Sequence, residues 1–185
     1  MSKTALVILH EGFEEMEAIA PIDILRRGEV SVTVASLTKE TLVVGRNQIK
    51  VDADVDFDQA MLHEYDVIVL PGGPGVYKTL RSDMRVRKLI QRQIEVGRRV
   101  AAICAAPLTL LDAGLLENVQ YTSHFSSTEE LPEREAGKSV VSDGLITTSQ
   151  GAGTATAFAL TVLSQLTDEQ TAQEVASSIC LSAPQ

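Results

Sequence analysis

Three uninterrupted apolar runs limit what this chain can fold into: Thr4–Leu9 (TALVIL), Val67–Leu70 (VIVL) and Val100–Ile103 (VAAI). None alternates apolar with polar residues, so none suits a sheet with one wet face. Each fits a strand covered on both sides, as in a parallel sheet between helices. The intervening segments carry helical patterns, with apolar residues three and four apart. They predict helices over about Phe13–Arg27, after Pro107 to near Gly114, over 155–166 and, capped by Asp168, over 169–180. Further strands are expected at Ser31–Ser36, Val119–Thr122, Ser139–Val141 and Leu145–Thr148. A short hairpin (Leu42–Val44, Ile49–Val51) and a helical turn near Asp58–Leu62 complete the pattern. The expectation is α/β: a three-layer α/β/α sandwich with a flavodoxin-like, mostly parallel sheet, forming a single domain over 1–185.

A hydrophobic fraction of 44% in 185 residues supports one core and argues against disorder. Net charge is −9, unevenly spread: residues 100–185 carry 2 basic and 10 acidic side chains. An acidic surplus disfavours nucleic acid and anionic membranes as partners. The local exception runs from Lys78 to Arg99, with eight basic residues against Asp83 and Glu95. Arg81, Arg85, Lys88 and Arg92 fall on one helical stripe, opposite Val86, Leu89, Ile90 and Ile94. An amphipathic helix with a solvated basic face is the plain expectation, since the segment offers no aromatic platform for bases. No apolar run is long enough to span a bilayer, and the first residues lack a signal-peptide pattern. Two cysteines make no disulfide framework, so a reducing, cytoplasmic setting is expected.

Four features fall just after predicted parallel strands, the edge where such sheets gather ligand-binding loops. Cys104 follows a buried strand and precedes Ala105, Ala106 and Pro107, the strand–turn–helix pattern of a nucleophile elbow. A helix start there is expected to lower the thiol pKa. An inert core cysteine is the bland alternative, and Cys180 keeps it. Gly72 and Gly73 let backbone amides approach an anion closely. Glu17 lies among Glu14, Glu15 and Glu17 at a helix start, where acids ordinarily complement the macrodipole. Its place toward the buried side instead predicts a protonated carboxyl that moves a proton. His124 is either a loop histidine or a general base for Cys104. His10 is a weaker candidate and His63 an exposed one. Neither metal-ligand spacing nor a phosphate-loop motif is present, so no metal or cofactor is expected.

Taken together, Ala5–Leu9 (ALVIL), Glu14–Glu17 (EEME), Asp66–Gly73 (DVIVLPGG), Ala101–Pro107 (AAICAAP) and Thr148–Thr154 (TSQGAGT) resemble the ThiJ/PfpI superfamily. The likeness is to the branch of the Parkinsonism-associated deglycase and its bacterial YajL-type relatives. It implies a reactive, oxidisable Cys104 with Glu17 and His124 as partners and amides from Gly73 and Ala105 at the anion. It also implies that Arg27 lines the site and that the protein is a homodimer. The implied activity is a cofactor-independent glyoxalase or protein deglycase acting on small α-oxoaldehydes or their glycated adducts, with a role in oxidative or carbonyl stress. Alternatives are a redox sensor or chaperone that uses Cys104 without turnover, and a cysteine hydrolase of PfpI type. Ala105 stands where the protease-like branch has a histidine, and Gln150 where animal members have an arginine.

Overall fold

A computed structural model describes residues 2–181. It shows the expected α/β architecture, built on a seven-stranded sheet. In chain order the elements are β1 (Thr4–Leu9), α1 (Glu15–Arg27), β2 (Ser31–Ser36), β3 (Leu42–Val44), β4 (Lys50–Asp52) and β5 (Val55–Asp56). Next come α2 (Phe57–Ala60), β6 (Val67–Leu70), a π-helical turn (Val76–Leu80), α3 (Met84–Glu95), β7 (Arg99–Ile103) and α4 (Pro107–Asp112). The chain ends with β8 (Val140–Asp143), β9 (Ile146–Ser149), α5 (Ala155–Leu166) and α6 (Glu169–Ser178).

The sheet order is β5-β2-β1-β6-β7-β9-β8, and every pairing is parallel except β8 with β9. The hairpin β3–β4 stands apart as its own antiparallel pair. Helix α5 packs on both α1 and α6, and α3 packs on α4. Because β1 steps to β2 on one side while β6 steps to β7 on the other, right-handed crossovers put α1 and α3 on opposite faces. The unbroken apolar strands are accounted for by this arrangement: Ala5–Leu9, Val67–Leu70 and Val100–Ile103 are all buried. Phe158 and Leu163 of α5 and Leu25 of α1 fill the space beneath one face. The order reverses between β1 and β6, which opens a crevice outside their C-terminal ends. No helix among the described residues is long and apolar enough to cross a membrane.

Three expectations need correction. Val119–Thr122 is extended but not a strand, because its amides are engaged elsewhere. Gln120 N–H donates to Asp143 Oδ2 at 2.9 Å and Thr122 N–H to Thr148 Oγ1 at 2.8 Å, leaving no ladder. Helix α1 starts at Glu15, not Phe13, because the Glu14 carboxylate accepts from Glu17 N–H and caps it.

The basic segment is not one helix. It breaks at Arg81–Asp83, where Asp83 caps α3 by accepting from Arg85 N–H. Arg81 therefore leaves the solvated stripe and turns inward, with 19% of its side chain exposed. Its guanidinium holds Asp112 through Nε (2.8 Å) and a terminal nitrogen (2.9 Å), and Glu130 at 2.8 and 2.9 Å. That fork joins the π-helical turn, the end of α4 and the segment after His124. Arg85 pairs with Asp58 and Asp83, and Arg98 with Glu64, so carboxylates occupy several cations of this face.

Removing one partner from a half-buried charge network strands the others. Arg81→Ala is expected to lower the unfolding free energy by about 2 kcal/mol in urea titration, whereas Lys88→Ala, on the solvated face, shifts it by less than about 0.5 kcal/mol. Equal effects would mean that the Arg81 fork carries no stability.

Candidate active site at the carboxyl edge of the sheet

The elbow forms as the sequence predicts, and its strain is visible. β7 leads straight into Cys104, whose φ is 66°. A non-glycine residue in this left-handed region costs about 1–2 kcal/mol, a conformation that persists where the surroundings impose it. They do so here through backbone bonds: Cys104 N–H donates to Ser149 O at 2.9 Å, and Cys104 O accepts from His124 N–H at 2.9 Å. Pro107 opens the six-residue α4, and Ala105 and Ala106 add no bulk where the chain reverses. The thiol is 8% exposed.

Glu14, Glu15 and Glu17 are all buried, each with a different task. Glu14 caps α1. Glu15 accepts from Asn47 N–H and Nδ2–H at 2.6 and 3.0 Å and pins the hairpin loop. Glu17, 1% exposed, accepts from Gly72 N–H at 2.9 Å and stands beside Cys104. The loop answers in return, since Glu14 N–H donates to Gly72 O at 3.0 Å. A side chain on Gly72 is excluded: its Cβ would lie 2.6 Å from both Cys104 Cβ and Glu17 Oε2, and 2.8 Å from Ile103 O. Gly73 adopts φ 104°, a conformation only glycine takes readily. The amides of Gly73 and Ala105 reach the Cys104 sulfur.

Burial dominates the electrostatics. It raises the Glu17 pKa to about 7, opposed by the hydrogen bond with Cys104 and, less, by the Gly72 amide, with the charge of Glu14 adding. It also pushes the Cys104 thiol up to about 12, reinforced by an ionised Glu17 and opposed by the Gly73 and Ala105 amides. The expected thiol acidification from the helix start is therefore outweighed, by burial first and by the charge of Glu17 second.

His124 reaches the same cleft by its side chain, but not as a base for Cys104. Ser126 N–H donates to His124 Nδ1 at 3.2 Å, with Ser126 Oγ 2.8 Å from the same atom. An amide can only donate, so Nδ1 accepts and the neutral ring carries its proton on Nε2. Desolvation, then the charges of Arg134 and Arg46, hold the His124 pKa below its ordinary value. No hydrogen bond joins the ring to Cys104 among the described residues.

Glu17, Cys104, Gly73, Ala105 and His124 line one cleft of about 330 Å3. Arg46, Tyr77, Ser126 and Ala152 line it too, and sequence patterns did not single them out for it. Arg46 is read from sequence only as part of a hairpin turn. Arg27 is not part of its own chain's cleft. It ends α1, about 15 Å along the helix from Glu17, and pairs with Asp23 at 2.8 Å. The larger concavity there, about 870 Å3, holds none of the cleft's chemistry. His10 is 1% exposed, with ring nitrogens 3.2 Å from Pro71 O and 3.3 Å from Glu11 O, so it props the glycine loop from behind. Among the described residues no group of three or more His, Cys, Asp or Glu side chains is placed to hold a metal ion.

Known proteins resemble this chain over nearly its whole length. The model of the DJ-1/PfpI family matches residues 3–165. Protein dj-1beta of Drosophila melanogaster is 38% identical over 182 residues, 97% of each chain, and its crystal structure superposes with a TM-score of 0.93 over 99% of this chain and 100% of that one. The Caenorhabditis elegans protein named glutathione-independent glyoxalase DJR-1.2 is 30% identical over 183 residues, again 97% of each chain. Toxoplasma gondii DJ-1, solved in a form described as oxidized, is 28% identical with a TM-score of 0.93 over 98% of this chain and 100% of that one. With matches of this extent, and with relatives that are themselves DJ-1 proteins, the chain belongs to the DJ-1/PfpI family.

Proposed function

We propose that the protein is a cysteine-dependent, cofactor-independent glyoxalase, acting on small α-oxoaldehydes or on the adducts these form with amines. The observation that carries this reading is the Glu17 carboxyl held against Cys104 beneath Gly72, with the Gly73 and Ala105 amides at the sulfur. The name of the nematode relative supports the same chemistry.

Cys104 and Glu17 share one proton. With Glu17 ionised the thiol stays protonated; with the proton on Glu17 the carboxyl donates to a thiolate, and the repulsion that adds to the burial penalty on the thiolate is gone. The thiolate then adds to the aldehyde carbon while Glu17 gives its proton to the new oxygen, which forms a hemithioacetal and leaves Glu17 ionised. Glu17 then removes the proton from that carbon and returns it to the neighbouring carbonyl carbon, while the hydroxyl proton of the first oxygen passes to the second. The first carbon is thereby oxidised to a thioester and the second reduced to an alcohol, so no external redox partner is needed. Water cleaves the thioester, releasing the hydroxy acid and the thiol. His124, with Nε2–H, is suited to donate to the substrate oxygen and not to accept from the thiol, which disfavours the cysteine-hydrolase alternative. A second copy of the chain is the expected partner, since α1 exposes Met16 (59%) and Ile19 (42%) on its outer face. A reducing cytoplasmic compartment would keep the thiol available.

A second reading, oxidative sensing at Cys104, draws on the same geometry and on the relative solved in oxidized form. Two equivalents of peroxide would convert the thiol to a sulfinic acid, releasing two waters. Intact-mass analysis after mild peroxide is expected to find two added oxygens on Cys104 and none on Cys180. Oxidation spread evenly over both would remove this reading.

For the glyoxalase reading, Cys104→Ala should abolish hydroxy-acid formation from methylglyoxal with the fold retained by circular dichroism. Unchanged turnover would overturn it. Glu17 supplies a separate check through stability. Its folded pKa of about 7 lies above the ordinary 4.5, so its contribution is complete below 4.5 and is lost as pH rises through 7. Glu17→Gln keeps an acceptor for Gly72 N–H but cannot ionise. The variant should therefore gain on the wild type by about 3 kcal/mol between pH 4.5 and about pH 8, measured by urea unfolding. A gap that stays constant with pH would place an ordinary carboxylate at this position.

A further inference from the structure

Beyond the thiol cleft lies a second compartment of about 510 Å3, and His124 and Ala152 form the wall common to both. Its lining includes Phe125, Gln150, Gly153 and one charged side chain, Arg134. We infer that this compartment is a subsite for the tail of the substrate, and that Arg134 selects α-oxoaldehydes or adducts whose tail ends in an anionic group. The inference rests on the glyoxalase reading and adds the substrate class.

The charge distribution carries the argument. Residues 100–185 hold ten acidic side chains and two basic ones, Arg134 and Lys138. Lys138 pairs with Glu135 at 3.5 Å. Arg134 has no carboxylate within ion-pair distance among the described residues, although Glu133 and Glu135 flank it in sequence. Instead two neutral acceptors aim it: Nε donates to Thr128 Oγ1 at 2.9 Å and one terminal nitrogen to Ser123 O at 3.0 Å. The other terminal nitrogen donates to no described residue. The residue lines the compartment beside His124, close enough for its charge to help depress the His124 pKa.

No carboxylate lines the compartment, and the Gln150 amide nitrogen is already engaged, donating to Ala136 O at 2.7 Å. A half-buried guanidinium fixed by neutral partners, with donors to spare, matches a carboxylate or phosphate oxygen. Methylglyoxal fits the thiol cleft and has no tail to reach past His124. Gly153 provides an independent handle. A Cβ there meets nothing within 4 Å, so a larger side chain projects into open space instead of against the fold.

Three probes separate the terms: methylglyoxal, γ,δ-dioxovalerate (an α-oxoaldehyde with a terminal carboxylate) and propylglyoxal, its uncharged analogue of equal length. The wild type should show a kcat/KM about tenfold higher for dioxovalerate than for propylglyoxal, the size expected of one charged hydrogen bond. Arg134→Gln should erase that preference, lowering dioxovalerate about tenfold more than methylglyoxal, and Arg134→Lys should restore part of it. Gly153→Leu should lower both longer probes against methylglyoxal. Calorimetry on Cys104→Ala, which cannot turn over, should show the same tenfold preference in Kd and its loss on adding Arg134→Gln. Equal affinities for the charged and uncharged tails, or an Arg134→Gln effect equal on all three probes, overturns the subsite. A binding preference without wild-type turnover of any probe overturns the glyoxalase reading and leaves the subsite standing.

Discussion

The site depends on a reciprocal lock between two loops: Gly72 N–H donates to the Glu17 carboxyl while Glu14 N–H donates to Gly72 O. These bonds join the start of α1, which follows β1, to the loop that follows β6. The elbow after β7 is then pressed against both, because the Gly72 α-carbon leaves no room for a side chain between Cys104 and Glu17. Three strand ends thus converge on one point. A parallel sheet supplies the convergence at no special cost, since neighbouring parallel strands end on the same edge. What the sequence adds is a residue at each end that the other two require: glycine, a buried acid, and a small nucleophile in a left-handed turn.

Outside that point the crevice is held by ion pairs instead of by backbone. Arg81 ties the π-helical turn bearing Tyr77 to the end of the elbow helix and to the segment after His124. The same wall is joined nearer the cleft by Ser126, which contacts His124 Nδ1 at 2.8 Å and the Tyr77 hydroxyl at 3.5 Å. The cleft wall therefore has a charged hinge on its outer side and a neutral hydrogen-bond chain on its inner side. This accounts for a basic run that pattern alone assigns to solvent. Arg81 lies in register with the exposed stripe, but the helix does not extend far enough to carry it there.

Much of the architecture was legible because it rests on burial. The runs Thr4–Leu9, Ser31–Ser36 and Val67–Leu70 form the strands they predict, with the same limits, and 155–166 forms the predicted helix. Failures occurred where side chains compete with the backbone for hydrogen bonds. Asp143 and Thr148 take the amides that would have made Val119–Thr122 a strand, and Asp83 stops a helix that periodicity would run through. Of the cleft residues named from sequence, Cys104, Gly73 and Ala105 follow strands and Glu17 lies at the start of α1, while His124 follows the extended but unpaired Val119–Thr122. Arg46, Tyr77 and Ser126 come from a hairpin loop, a π-helical turn and a short helical turn, where no period marks a side chain's direction. Arg27 lies outside its own chain's cleft for a different reason. Resemblance transfers an identity along the chain, while the distance from Glu17 to the far end of α1 is set by the helix rise.

The pattern of proton donors inside the cleft narrows the chemistry further. For His124 to act as a base toward Cys104, its acceptor nitrogen would have to face the sulfur, but Ser126 N–H occupies Nδ1. Protonating the ring would place a donor against that amide and add a third positive charge near Arg46 and Arg134, both of which already oppose it. The ring is therefore best matched to a neutral donor at Nε2. Glu17 is left as the group placed to exchange a proton with Cys104. Its proton is gained cheaply because burial already disfavours its charged form, and the thiolate it supports is balanced by the Gly73 and Ala105 amides instead of by an imidazolium. On the reading proposed above, a thiol paired with a carboxylic acid in this way is matched to adding to an aldehyde and shuttling a proton between adjacent carbons. It is poorly matched to protonating an amide leaving group, a step for which proteases use a histidine free to change charge.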